Sequence, residues 1–417
     1  MIRLVFLGLC LAFVAAAWPA LAQSEVSEST TSPALEVSLL TFGPGEIYWQ
    51  RFGHNAIVIH DPASGETNSY NYGMFDFDEE DFFLNFLRGR MFYQIAVEDP
   101  ADEINWYASE GRSVTRQNLR LSPEQARALK TYLDTNLLPE NRHYRYDYFT
   151  SNCSTRIRDA LNEVLGGSLK MHMTSPSRGY TYRMLADALT SPSPMLMAVI
   201  DIGLGPFADQ RLSYWKDSFV PMEFMAHLRE MKVEDASGAL LPLVESETVL
   251  AKARLPAPPA LPPDLRWPFL GLGLGLGALM LYLSSCRESA LARRSFSVLA
   301  VLISLSCGLI GLILLGLWSF TEHLSAWRNE NLLIFSPLCL LMLPTWWRSW
   351  RLPSKVSAFA RAIAAIIALL AAFGLFSKIL SAFPQANLAW ILLLLPTHLV
   401  LALVATQWRG DRISVNG

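Results

Sequence analysis

Apolar positions are spread unevenly along the chain. Residues 36–250 alternate short apolar stretches with polar turns, whereas long apolar runs crowd the last third, at about 268–285, 296–318, 331–345, 359–377 and 387–405. Most of these runs approach the roughly 20 residues that an α-helix needs to cross a bilayer. The third is short and carries Pro337 and Pro344, so it is expected to be the weakest and most irregular of five spans. In the first half, 35–42 and 55–60 read as strands. The turn cluster at 61–66 and the returning stretch 67–73 make 54–73 a candidate hairpin. Residues 78–90, starting with acids and ending with Arg, read as a helix. So do 122–137, with a Ser122/Gln125 capping box, and 152–167, with an Asn or Ser cap and a Gly-Gly stop. The expected class is α+β followed by an all-α membrane part.

The pattern divides the chain further. Residues 1–22 read as a signal peptide: Arg3, an apolar stretch, then Ala20-Leu21-Ala22 as the small-x-small cleavage pattern. Cys10 lies within that apolar stretch and reads as leader filler. Residues 23–35 are a flexible lead-in, 36–250 one globular domain, 251–267 a Pro-rich linker, 268–408 the membrane domain and 409–417 a tail. With 36–267 outside, the inside connections hold Arg287, Arg293 and Arg294, then Arg348, Arg351, Lys355 and Arg361, and the inside tail holds Arg409 and Arg412. The outside connections offer only Arg328 and Lys378, as the positive-inside rule requires. Trp267, Trp318, Trp346, Trp347 and Trp408 fall at the expected interfaces. The expectation is a multi-pass protein of the bacterial cytoplasmic (inner) membrane with a periplasmic N-terminal domain.

Net charge is −3 and 52% of residues are hydrophobic, a balance that leaves no polyanion footprint and argues against nucleic acid as a partner. Cys153 is the only cysteine between the leader and the membrane part; the others are Cys286, Cys307 and Cys339. Counting therefore excludes a disulfide framework and a multi-cysteine metal site in the exported domain. No metal and no cofactor are expected.

Cys153 falls in the first turn of the expected helix. Free N–H groups and the positive dipole end favour a thiolate there and could also cradle an oxyanion; Arg156 and Arg158 lie nearby in sequence. A lowered thiol pKa is expected on this reading. A base is still needed. His54, His60, His143, His172 and His227 are available, and His54 stands out at the mouth of an apolar strand, after a glycine. His60 is on the same face of that strand. His143, His172 and His227 read as structural hydrogen bonders. Spacing by itself does not decide whether Cys153 and His54 meet.

"FGHNAIVI…YNYGMFDF" followed by "YDYFTSNCSTRIRDAL" resembles the Lnb-type family, the lyso-form lipoprotein N-acyltransferases and their relatives. The similarity covers about 36–230 and continues into "TEHLSAWRNENLLIFSP" (321–337). The order His, polar residue, Asn-Cys also resembles the circularly permuted papain-like fold of NlpC-type hydrolases and lecithin–retinol acyltransferase. The resemblance implies Cys153 as nucleophile, His54 as general base, and a third polar group on the strand after the histidine. Asn71 is the choice for that group, with Tyr70 and Tyr72 close behind because the register is open, and His60 as a further alternative. Asn152 and Ser154 at the helix start are oxyanion or substrate candidates.

The stretch 321–331 lies outside the membrane in this topology. Glu322, His323, Arg328, Asn329 and Asn331 are candidates for facing the exported domain or a lipid head group, against the alternative of a solvated loop. The tyrosines of 141–149 read as packing residues, and the acids of 76–83 as a solvated helix start. The expected activity is transfer of an acyl chain through a thioester on Cys153, with membrane lipids or lipid-modified proteins as partners. Two rivals stay open: a cell-wall amidase or peptidase, and a non-catalytic binding module. The sequence leaves the oligomeric state open.

Overall fold

The computed structural model describes residues 34–75, 81–235, 237–350 and 355–408. The expected leader with Cys10, most of the lead-in, the acids of 76–80, Arg351 and the 409–417 tail lie outside the described residues.

The exported domain is built on a seven-stranded antiparallel sheet. Its strands are β1 (Glu36–Phe42), β2 (His54–His60), β3 (Thr67–Met74), β4 (Phe92–Glu98), β5 (Val114–Leu119), β6 (His143–Arg145) and β9 (Val244–Ala251), in the spatial order β6-β4-β3-β2-β1-β5-β9. The short strands β7 (Lys232–Glu234) and β8 (Leu240–Pro242) form a separate hairpin. Its helices are α1 (Phe82–Arg88), α2 (Pro100–Ser109), α3 (Pro123–Leu137), α4 (Cys153–Val164), α5 (Ser168–Met173), α6 (Tyr182–Thr190), α7 (Pro194–Gly203), α8 (Tyr214–Asp217) and α9 (Pro221–Glu230).

Both faces of the sheet are covered, so its central strands are apolar on alternate positions in both directions. Val37, Leu39, Ile57, Ile59, Tyr70 and Tyr72 enter the larger core, with α3, α4 and α9. Leu40, Phe42, Ala56, Val58 and Val114 face the other way, onto Ile104 and Tyr107 of α2. The expected 54–73 hairpin is the β2–β3 pair, with Ile57 opposite Tyr70. The Ser122/Gln125 capping box starts α3, and Asn152 caps α4. An antiparallel sheet carrying the histidine, crossed by a later helix that begins with the cysteine, is the arrangement expected of the permuted papain-like class.

Among the described residues, the membrane part holds four helices long and apolar enough to cross a bilayer: α10 (Arg266–Ser285), α11 (Ala290–Phe320), α13 (Ala358–Ser377) and α14 (Leu388–Gln407). A fifth crossing is broken. Short 3₁₀ turns at Glu330–Leu333 and Pro337–Met342 lead into α12 (Leu343–Ser349), with a 43° bend at the break. This is the irregular third run; Pro337 and Pro344 each remove a backbone donor there. α10 and α14 pack tightly because Gly273 lacks a side chain: a Cβ there would lie 2.5 Å from the Leu393 carbonyl oxygen.

Two connections of the membrane part touch the exported domain. Asn329 Nδ2 donates to the carbonyls of Ile202 (2.8 Å) and Gly203 (3.0 Å), and Gln385 Nε2 donates to the Leu204 carbonyl (3.0 Å). Both connections are therefore on the exported side. Between them the chain passes only through the broken segment and α13, so the broken segment must itself cross, giving five crossings. At the opposite end, the Val356 N–H meets the Trp408 carbonyl (3.0 Å), which puts both on the inner side. Positive charge and packing thus give the same topology.

Candidate active site

The β2–β3 ladder runs from His60/Thr67 to Ile57/Tyr70 and stops there. Beyond it the two strands part, and the first turn of α4 enters the fork. Gly73 of β3 lies at this approach in a left-handed backbone conformation that favours glycine. Its φ is +91°, and a Cβ on it would lie 3.5 Å from Cys153 Cβ. On the other side of the fork, the backbone N–H of Asn55 points at the Cys153 sulfur.

The cap of α4 decides which amides are left for the sulfur. Asn152 Oδ1 accepts from the Thr155 N–H (2.9 Å), and the Asn152 carbonyl accepts from the Arg156 N–H (3.0 Å). The N–H groups of Cys153 and Ser154 remain, and both act on the sulfur. With Asn55, three backbone donors converge on one atom. The remaining polar groups of the first turn are tied down: Asn152 Nδ2 donates to the Tyr148 (3.0 Å) and Phe219 (2.8 Å) carbonyls, and Ser154 Oγ donates to the Ser218 carbonyl (2.7 Å). Both side chains fix the helix end and are fully engaged in doing so.

His54 opens β2. Its Nε2 donates to Asn71 Oδ1 at 2.8 Å. Asn71 is on β3, diagonal to His54 across the pair and on the same face. Its Nδ2 donates to the Ser69 carbonyl at 3.3 Å, which orients the amide with its oxygen toward the ring. An amide oxygen only accepts, so the proton sits on Nε2 and the lone pair on Nδ1. Glu103 of α2 backs the same pair; burial pushes its carboxyl up while Ser69 and Asn71 hold it down.

Burial dominates the electrostatics. It lowers His54 to about 4, with Asn71 opposing and the Arg112 charge adding to the fall. Burial raises the Cys153 thiol above its ordinary value, against the pull of the three N–H groups and Arg112. The lowered thiol pKa expected from the helix end is overturned here, because desolvation outweighs the dipole. At rest the thiol and the imidazole are both neutral.

Arg112 was not singled out from sequence. It follows α2 and is 2% exposed; its Nε donates to the Gly43 carbonyl (2.7 Å), and its guanidinium lies 4.4 Å from the Tyr107 ring centroid. Tyr107 stacks in turn on Phe42 (3.9 Å), which stacks on His54 (5.9 Å). Arg112 Nη2 is buried without a hydrogen-bond partner. The Tyr144 hydroxyl, close to Gly73 and Cys153, is also buried and unpartnered. No local signal marks either residue. The arginines nearest in sequence are placed elsewhere: Arg156 lies over the Tyr72 and Tyr144 rings, and Arg158 is held by Asp159 and the Trp215 carbonyl.

Other candidates are distributed as follows. His60 is at the far end of β2, with Nδ1 on Thr67 Oγ1 (2.8 Å), so it does not reach His54. Tyr70 points to the opposite face and donates to Asp134 (2.7 Å); Tyr72 enters the same core. His323 Nε2 donates to the Phe86 carbonyl (3.0 Å), and its ring stacks on Tyr148. Asn329 and Asn331 spend their amides on the end of α7. These three join the domains. Among the described residues, one group could hold a metal ion: Asp217, Glu223 and His227. There His227 Nε2 meets Asp217 Oδ1 (2.6 Å) and Arg178 pairs with Glu223 (2.5 Å), while Asp217 Oδ2 and His227 Nδ1 are buried without a partner.

Two family models match this sequence. The Lnb N-terminal periplasmic domain matches residues 22–188, and the Lnb transmembrane domain matches residues 272–407. The chain belongs to the Lnb-type family. No curated protein and no solved structure matches. The Lnb-type domain pair agrees with the two-part architecture: a sheet-based periplasmic domain set on a helical membrane domain.

Proposed function

We propose that this Lnb-type protein is a thiol acyltransferase of the bacterial inner membrane, acting at its periplasmic face on lipid-modified proteins. The observation that carries the reading is the fork itself: a cysteine under three backbone N–H donors, one of them from Asn55, the residue next to a histidine whose tautomer an asparagine fixes. Docking of this domain on the membrane loops supports a donor that stays in the bilayer.

In the first half-reaction the Cys153 sulfur attacks the carbonyl carbon of an acyl ester while His54 Nδ1 takes the thiol proton. The N–H groups of Asn55, Cys153 and Ser154 surround the developing oxyanion. Collapse breaks the ester C–O bond; the glycerol oxygen leaves with the proton from His54, and a thioester remains on Cys153. In the second half-reaction a neutral amine attacks the thioester and His54 takes its proton. The C–S bond breaks, the sulfur recovers its proton, and an amide leaves. Ester plus amine becomes alcohol plus amide. For a diacylglyceryl-cysteine the amine is the cysteine's own, and the product is a lyso-lipoprotein. Burial keeps His54 neutral at each attack, and the same burial makes it a weaker base than a free imidazole.

The test is mass spectrometry of lipoprotein N-termini from cells with the gene, without it, and with Cys153→Ala. The expected result is an N-acyl lyso form present only with the intact gene. Identical N-termini in all three strains would sink the lipoprotein assignment.

A further inference from the structure

The membrane-facing side of the exported domain carries two helices with apolar outward faces. On α1, Leu84 and Leu87 (65% exposed) point outward with Phe83 beside them, while Phe82 and Phe86 turn inward onto the core that Cys153 also packs against. On α7, Met195 (77% exposed) and Val199 (62% exposed) point outward one turn apart, while Ala198 and Ile202 pack on the membrane core. Contiguous apolar faces of this kind mark contact with something other than water.

Their attachment says what covers them. The Arg88 carbonyl at the end of α1 accepts from the Glu322 N–H at 2.8 Å. Span α11 ends at Phe320, two residues earlier, and Phe320 is 84% exposed. Glu322 is further clamped by Arg90 (2.7 Å) and Arg145 (2.5 Å). The last turn of α7 is held by Asn329 and Asn331 of the same connection. Two residues of chain span only about 7 Å, so α1 lies at the level where a span leaves the bilayer.

Inward from α1, a row of rings leads toward the cysteine. Centroids step from Phe82 to Phe75 (5.9 Å), to Tyr93 (5.1 Å) and to Tyr146 (4.3 Å), and Tyr146 packs on the same core as Cys153. The pocket beneath α1, between Phe82, Phe86 and Tyr93, has a volume of only about 10 Å³, so the rings are packed and a chain passes only as they part.

We propose that α1 and α7 are immersed in the outer leaflet of the membrane, and that the acyl chain of a membrane-resident donor reaches Cys153 past α1 along this aromatic row. Immersion stands on the attachment alone; the route rests on the reading of Cys153 as acyl acceptor.

The full-length protein in phosphatidylethanolamine/phosphatidylglycerol nanodiscs tests both parts. A photoreactive benzoylphenylalanine is placed at Leu87, at Val199 or, as control, at Leu240 of the β7–β8 hairpin. Phospholipid adducts at 87 and 199 but not at 240 are expected; no adducts at 87 and 199 would overturn immersion, whatever Cys153 does. For the route, the double variant Leu84→Glu/Leu87→Glu should load Cys153 at least tenfold more slowly from a diacyl lipid in the nanodisc. Loading from a water-soluble butyryl ester should stay unchanged, which also shows that the variant is folded. An equal fall for both donors, or for neither, overturns the route. If wild-type Cys153 accepts acyl groups from neither donor, the route falls together with the acyltransferase reading, and the adducts still decide immersion.

Discussion

His54 Nε2 donates to Asn71 Oδ1 at 2.8 Å, from neighbouring strands whose ladder has already stopped at Ile57 and Tyr70. The bond therefore closes a gap in the sheet and fixes which ring nitrogen is basic. Asn71→Ala frees the ring to take either tautomer. The expected outcome is a fall of roughly 10- to 100-fold in kcat for acyl transfer with KM little changed, in the range of general acid–base contributions. Steady-state kinetics checks it, and Asn71→Gln should restore part of the loss only if the amide oxygen is what matters.

The neutral thiol and the neutral imidazole each give a pH signature. Burial holds Cys153 above its ordinary value, so iodoacetamide labelling should climb through the alkaline range with its midpoint above that of a free thiol. Burial lowers His54 to about 4, so the acid limb of acyl transfer should fall near pH 4, below the ordinary imidazole value of about 6.5. His54→Ala should abolish transfer by a factor on the order of 100 or more and leave the labelling midpoint almost unmoved. A midpoint below pH 8 in wild type, lost in the variant, would instead reveal an ion pair.

Arg112 holds its charge near both groups while its Nη2 is unpartnered. Its removal in Arg112→Met should move the thiol midpoint further up and relieve part of the fall on His54, so the two limbs shift upward together. Arg112→Lys should restore part of the thiol shift, since it keeps charge but not the fork geometry. Labelling and pH–rate profiles on the same preparations read both limbs. Circular dichroism separates these shifts from misfolding, because Arg112 also holds the Gly43 carbonyl.

Arg183 is shared by Asp201 and Asp209, and Asp187 sits behind them with its carboxyl raised to about 8. An acid whose folded pKa lies above its unfolded value of about 3.9 binds more protons when folded, so its contribution to stability falls as pH rises from about 4 to about 8. Asp187→Asn should therefore raise Tm by roughly a few degrees at pH 8 and change it little at pH 4. Asp201 also accepts from the Trp390 indole (2.8 Å), so the effect should appear in unfolding of the joined molecule. Scanning calorimetry at the two pH values checks the sign.

Much of this protein is written locally. Apolar runs and arginine placement give the spans and their direction. Gly-Gly, Asn152 and Ser122 mark helix ends, and the turn at 61–66 sets a hairpin. These features follow from length, charge and capping, which act over a few residues. Asn71, weighed against Tyr70, Tyr72 and His60, needed the register, because one residue of slip sends a side chain to the other face. The parting of β2 and β3, the aim of the Asn55 N–H and the buried charge of Arg112 arise from segments far apart in the chain. So does the thiol's raised pKa: the helix dipole is legible in sequence, but the desolvation that outweighs it belongs to the packed site. The same holds for Asn329, Asn331 and His323, polar residues whose partners on the exported domain exist only once the two domains meet.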